Sequence, residues 1–270
     1  MSKIAATLLV RDEEDIIAAN IQHHLEQGVD YFIATDNGSA DSTLDILKSF
    51  PQVKLIIQEP SLNYQQFAWV RRMANVVYEM GADWVIHLDA DEFWYGLNNL
   101  NQIEDNFLVV NSGDSLFPWD CSGKTCRDFV QIRDQKYQEH FCKSDYRYFK
   151  YSDYKPMKGC KIAHRPIKDI QIDQGNHRAN LPKEQITYCP SLTIDHYPVR
   201  SYEHFHRKVV NGGKAYLESN LPEHIGIHWR KWYQAYLWGS LRIEYNKLSY
   251  VTDEVNAIIQ NGHLHTTEAL

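Results

Sequence analysis

The chain has 270 residues, 43% hydrophobic and 23% charged, enough for one large or two small domains with a substantial core. Its formal net charge of -7 lacks the basic footprint that sequence-independent nucleic-acid binding needs. The apolar run in MSKIAATLLVRDEED is too short for a signal peptide or a membrane span, and the five cysteines (Cys121, Cys126, Cys142, Cys160, Cys189) lack CxxC spacing. A cytoplasmic protein with reduced thiols and no integral membrane segment is therefore expected; peripheral membrane association and oligomeric state stay open.

The N-terminal part alternates strand-like and helix-like segments. Strands are predicted at Lys3–Val10, Tyr31–Thr35, Val53–Ile57 and Trp84–Leu88. A helix over Asp12–Gln27 places Ile17, Ile21 and Leu25 at four-residue spacing, with Gly28 as its left-handed terminator. A second, short helix is capped by Asp41 or Ser39 and buries Leu44, Leu47 and Phe50. A third, Tyr64–Met80, has Phe67, Val70, Ala74 and Val77 on one face and Gly81 at its end. This order predicts an α/β fold with a mostly parallel sheet flanked by helices on both faces.

Beyond Phe93 the rhythm is lost. Short strands are predicted at Ser115–Trp119 and Phe129–Ile132, and loops between Tyr146 and Pro190. Helices follow at Ser201–Leu217 and His228–Leu248, the latter with an aromatic patch at Trp232, Ala235, Tyr236 and Trp238–Ser240 that reads as core or oligomer contact. The expected division is a domain over 1–215, with halves at 1–100 and 101–215, and a C-terminal helical extension over 216–270.

The chemistry concentrates in VIHLDADEF, Val85–Phe93, where an apolar run ends in Asp89, Asp91 and Glu92. Clustered carboxylates at a strand tip repel one another and resist desolvation, and a hard divalent cation relieves both costs. If the segment is extended, Asp89 and Asp91 point to one side and converge on one ligand. Two more polar clusters follow predicted strands: Arg11-Asp12-Glu13, and TDNGSADST over Thr35–Thr43. Ligands in open parallel sheets bind beyond the carboxyl ends of the strands, so three clusters there describe a pocket for a charged ligand. Asp36 and Asn37 suit hydrogen bonding to a base or ribose, Gly38 a tight turn, and Ser39 and Asp41 helix capping.

With these motifs in this order, the chain resembles GT-A glycosyltransferases of the family 2 type, in a branch also similar to family 92. FPWDCSGKT from Phe117 and IDHYPVRSYEHFHRK from Ile194 extend the resemblance, which covers about residues 3–215. It implies a metal-dependent, inverting transferase moving a hexose from a nucleotide-diphosphate sugar, with a UDP-sugar the leading candidate, to a glycan or lipid-linked saccharide in polysaccharide biosynthesis. Arg11, Asp36, Asn37, Arg72, Asp89 and Lys208 would bind the donor, with Arg71 able to replace Arg72. Asp91, with Asp89 and His196, would hold Mn2+ or Mg2+. Arg200 is a further cation for the diphosphate. The general base is expected at His177 or Asp173, with Asp120 and Asp195 behind them. Glu92 has either an acceptor contact or a bracing role. The alternatives are a nucleotidyltransferase, although no Gly-rich triphosphate loop follows the first strand, and a non-catalytic sugar-nucleotide-binding protein of the same fold. A phosphatase with a DxD strand end is disfavoured because the motif continues Glu92-Phe93-Trp94.

Overall fold

The computed structural model describes residues 2–60, 65–103, 107–114, 148–149, 160–180, 187–196, 200–219, 222–223 and 226–250. The strands expected at Ser115–Trp119 and Phe129–Ile132 lie outside these residues. Two compact units emerge, one from residues 1–61, 65–113 and 156–196 and the other from 62–64, 114–155 and 197–270.

The first unit is built on β1 (Ile4–Val10), α1 (Ile17–Glu26), β2 (Val29–Asp36), α2 (Thr43–Ser49), β3 (Val53–Gln58), α3 (Gln66–Glu79), β4 (Trp84–Asp89) and β5 (Glu92–Tyr95). Strands β1 to β4 lie parallel in the order β3-β2-β1-β4, as the alternation predicts. The sheet continues through β8 (Cys160–His164), β6 (Phe107–Asp114) and β9 (Thr187–His196) to β5. Here the pairs β4–β8, β6–β8 and β5–β9 are antiparallel, an extension that the weak periodicity after Phe93 did not announce.

Alternation along the strands divides the core. Ala5, Tyr31, Ile33, Val85 and Ile162 pack with Val70, Met73, Ala74 and Val77 of α3. The residues between them, such as Ala6, Leu8, Phe32 and Ile86, are equally buried, so both faces of the sheet are covered.

Three local expectations change. Helix α1 starts five residues late, because Asp12 takes φ +55° and its carboxylate binds the Ala40 N–H instead of opening a helix. In α2 only Thr43 and Leu47 are buried, while Leu44 and Phe50 are partly exposed. On α3 the buried stripe takes Trp69 and Met73 in place of Phe67, which is 42% exposed. The terminators behave as expected: Gly28 and Gly81 have φ +100° and +69°.

The second unit contains α4 (Tyr202–Glu218), α5 (Ile227–Leu237) and α6 (Leu241–Leu248), with a short ribbon between β7 (Tyr148–Phe149) and β10 (Ser249–Tyr250). Ser201 caps α4 by accepting the His204 N–H at 3.0 Å. Phe205, Val209, Leu241 and Tyr245 form its core, with Trp229, Trp232, Tyr233 and Tyr236 packed around them. The single helix expected over His228–Leu248 is instead broken at Gly239, φ +69°, and Trp238 of the expected aromatic patch is 75% exposed.

Candidate active site at the acidic strand end

Strand β4 ends at Asp89, Ala90 and Asp91 make a turn, and β5 begins at Glu92. The segment is therefore not continuously extended, and the expected same-side convergence of Asp89 and Asp91 does not follow from strand geometry. Helix α1 fixes this turn from above. Asn20 Nδ2 donates to the Ala90 and Glu92 carbonyls at 3.0 and 2.7 Å. His23 Nε2 lies 2.7 Å from the Trp94 carbonyl, the Trp94 N–H donates to His24 Nε2 at 3.2 Å, and the Gly96 N–H to Gln27 Oε1 at 3.0 Å. Positions 20, 23, 24 and 27 share one helical face, so α1 supplies side chains to β5 where, among the described residues, its only paired strand is β9. His24 must be neutral for this: its Nδ1 donates to the Asn20 carbonyl at 2.7 Å while Nε2 accepts. Burial, reinforced by the adjacent His23, holds its pKa well below the usual histidine value.

Asp89 does converge with a second carboxylate, but that partner is Glu92 rather than Asp91, and they meet on a lysine. Lys161 Nζ lies 2.7 Å from Asp89 Oδ2 and 2.7 Å from Glu92 Oε1, and the lysine is only 3% exposed. Burial alone disfavours an ammonium, but the Asp89 and Glu92 charges outweigh it and raise the Lys161 pKa above the ordinary lysine value. On β8, Ile162 faces the α3 core, so its neighbour Lys161 points to the opposite face. Glu92 is 1% exposed, and its Oε2 also lies 3.5 Å from the Asp89 backbone N. Lys161 was missed in the sequence, where its signal was a lone cation within the apolar strand CKIAH, a setting that requires a buried partner.

Asp89 has a further partner. Asn176 Nδ2 donates to Asp89 Oδ1 at 3.3 Å, and Asn176 is 1% exposed, with a buried Oδ1 that has no partner among the described residues. Its segment is tied to α3 at two points. The Asp169 N–H donates to Asn75 Oδ1 at 2.8 Å, Asn75 Nδ2 and Arg71 Nη2 return to Asp169 Oδ1, and the Gly175 N–H donates to Gln66 Oε1 at 3.0 Å. Gly175 (φ +76°) and Asn176 (φ +60°) turn the chain, and a side chain at 175 would strike the His177 ring. Of the expected base region, the structure thus brings Asn176 to Asp89; Asp173 is exposed and His177 half-buried beside Gly175.

The other strand ends meet at the same edge. Register pairs Val10 with Asp36, and Leu9 with both Thr35 and Asp89, so β1 lies between Asp36 and Asp89, about 10 Å apart at two strand spacings. Asp36 is 3% exposed, and its Oδ1 accepts the Ser39 N–H at 3.2 Å and the Ser39 hydroxyl at 2.5 Å. Ser39 therefore braces Asp36 rather than capping α2. Asp41 does approach that role, accepting the Thr43 N–H at 3.0 Å. The β1 and β2 loops are knitted together: the Asp12 N–H donates to Ser39 Oγ, the Ala40 N–H to Asp12 Oδ1, and the Glu13 N–H to Thr43 Oγ1. Arg11 Nε lies 3.8 Å from Asp12 Oδ2, and the Asn37 N–H donates to the Val10 carbonyl.

Several expected residues sit differently. Arg72 is paired with Glu59, just past β3, and Arg71 with Asp169 at 3.2 Å; both line an open groove along α3 with Phe67 and Asn75. His196 lies opposite Glu92 in the β5–β9 register. The side chains of Asp195 and His196, and all of Asp120, lie outside the described residues. Lys208 is on α4 and Arg200 just before it, both in the second unit. Among the described residues no three His, Cys, Asp or Glu side chains gather as a metal-ligand group.

No protein-family model matches the chain, and no curated protein matches it. Similar solved structures include S. aureus TarS 1-349, with 12% identity, 82% of this chain and 67% of that one covered, and a TM-score of 0.41. Glucosyl-3-phosphoglycerate synthase from Mycobacterium tuberculosis, solved with Mn2+, UDP and glucosyl-3-phosphoglycerate, is 18% identical over 42% of this chain and 44% of that one, with a TM-score of 0.33. The chain thus spans less than half of the synthase.

Proposed function

We propose that the chain is a glycosyltransferase that takes a hexose from a nucleotide-diphosphate sugar and passes it, with inversion, to a saccharide acceptor. The observation that carries this reading is the placement of Asp36 and Asp89 on either side of the β1 end, about 10 Å apart. That span suits the two ends of a nucleoside, with Asp36 and Asn37 on the base or ribose side and Asp89 toward the diphosphate. Asn176 Oδ1, buried beside Asp89 and without a partner among the described residues, is an acceptor suited to a donor hydroxyl.

A carboxylate together with the donor's own phosphates is an ordinary ligand set for Mg2+ or Mn2+, so the motif's oxygen donors fit such an ion, with Asp91 its first protein ligand and His196 a second candidate. When bound, the ion neutralises charge on the departing diphosphate. The chain's residues do the rest. Asp36 and Asp89 orient the donor, Lys161 and Asn176 fix the Asp89 carboxylate, and His177 or Asp173 takes the proton from the acceptor hydroxyl as it attacks.

A thermal-shift panel of UDP-, GDP-, CMP- and dTDP-sugars, each with and without Mn2+, tests donor class directly. One class should stabilise the chain in a metal-dependent way, and Asp36→Ala should weaken that response. Stabilisation by none of the four, or by the CMP-sugar alone, which carries a single phosphate, would overturn the reading.

A further inference from the structure

A buried lysine between two carboxylates at a strand end has a consequence for metal binding. Asp89 Oδ2 and Glu92 Oε1 both approach the Lys161 ammonium at 2.7 Å, so the ammonium occupies the space between them. Glu92 and Lys161 are 1% and 3% exposed, which leaves neither charge to water. The other Asp89 oxygen accepts from Asn176 Nδ2 at 3.3 Å, and the Asp89 side chain keeps 32% of its surface exposed, so acceptor capacity remains for a ligand. A buried Glu92 and a part-exposed Asp89 share one cation and are neutralised without any metal, whereas the same pair without the lysine would be an uncompensated oxygen-rich site.

We propose that Lys161 is the resident counter-ion of the acidic turn, standing where a divalent cation bridging Asp89 and Glu92 would otherwise bind, and that it reserves Asp89 for the donor. Lys161 is a positioning residue: it acts by holding Asp89 and Glu92. The inference rests on reading this strand end as the diphosphate end of a donor site, but its test needs no nucleotide. Failure of the nucleotide-sugar panel would therefore be a separate result.

The test is Mn2+ alone added to the full chain, read by melting temperature and by the loss of free Mn2+ signal in electron paramagnetic resonance. Lys161→Met should melt below wild type in metal-free buffer. With millimolar Mn2+ it should recover by about 5 °C more than wild type does, with Mn2+ affinity about tenfold tighter. If the variant is unfolded without metal, Mn2+ should refold it. Adding Glu92→Gln to Lys161→Met should remove the gained affinity, and Lys161→Arg, which keeps the charge, should respond to Mn2+ as wild type does. A merely structural lysine would give instability without these metal responses. The proposal is overturned if Lys161→Met responds to Mn2+ no more than wild type, if it stays unfolded at saturating Mn2+, if the gain survives Glu92→Gln, or if Lys161→Arg gains affinity as Lys161→Met does.

Discussion

Asn20 on α1 donates its amide to the Glu92 carbonyl at 2.7 Å, and to that of Ala90 at 3.0 Å, so a helix side chain satisfies backbone acceptors of the acidic turn. Both carbonyls depend on one donor group that is itself fully buried. Asn20→Ala should therefore cost about 2–3 kcal/mol in urea unfolding, because two buried acceptors lose their partner at once. Asn20→Asp should cost more, since a carboxylate would face the same two oxygens. A loss below about 0.5 kcal/mol for the alanine variant would show that the turn holds its shape without α1.

Stability should fall on mild acidification. Thr7 Oγ1, His87 and His164 form a buried chain, with Thr7 Oγ1 2.7 Å from His87 Nδ1 and the two Nε2 atoms 2.9 Å apart. The Arg165 carbonyl, 2.7 Å from His164 Nδ1, can only accept, so His164 Nδ1 carries the proton and its Nε2 accepts from His87. Burial lowers the His164 pKa to about 4, against the Arg165 hydrogen bond that opposes the shift. A histidine depressed in this way binds its proton more tightly when unfolded. Its contribution is therefore complete above pH 6.5 and is lost as pH falls from 6.5 toward 4. His24, lowered by burial and by His23, adds to the same slope. Urea unfolding at stepped pH should show this decline, and His164→Asn should flatten it while lowering stability at pH 7.5. A slope in the variant equal to that of wild type would remove His164 from the account.

The segment carrying Asn176 should depend on a remote clamp. Asn75 exchanges two hydrogen bonds with Asp169, whose left-handed φ of +57° is costly for a non-glycine residue and is held by these contacts and by Arg71. Asn75→Ala should cost about 1–2 kcal/mol, and should raise amide exchange over residues 169–180 while leaving β1 and β2 protected. Uniform exchange across both regions would contradict a local clamp.

In the second unit, Gly213 is buried in α4, and a β-carbon there would collide with Tyr233 of α5. Gly213→Ala gains helix propensity of about 1 kcal/mol but should still destabilise the unit, because overpacking costs about 1–3 kcal/mol. Gly239→Ala, with nothing near its β-carbon, should cost only the left-handed strain. A stabilising thermal shift for Gly213→Ala would show that α4 and α5 do not pack so closely.

Much of the parallel half was legible because its signals are local. Apolar runs, helical spacing and the glycines at 28 and 81 mark β1 to β4 and their helices, and the polar clusters at Arg11, Asp36 and Asp89 fall at the strand ends as expected. Lys161 and Asn176 reach Asp89 from 72 and 87 positions away, and only the antiparallel strand β8 and the clamped 165–180 segment bring them there. No spacing rule carries that information. Asn20, His23, His24 and Gln27 stand at helical spacing, but their partner is backbone, which leaves no pattern of its own in a sequence.

The central claim, that the acidic strand end is the diphosphate end of a nucleotide-sugar site, is tested most directly by donor turnover in Asp91→Ala. With the nucleotide-sugar that stabilises the wild type and with Mn2+ supplied, release of nucleoside diphosphate should fall at least about 100-fold in variant protein that still unfolds cooperatively. Wild-type turnover in the folded variant would contradict the claim.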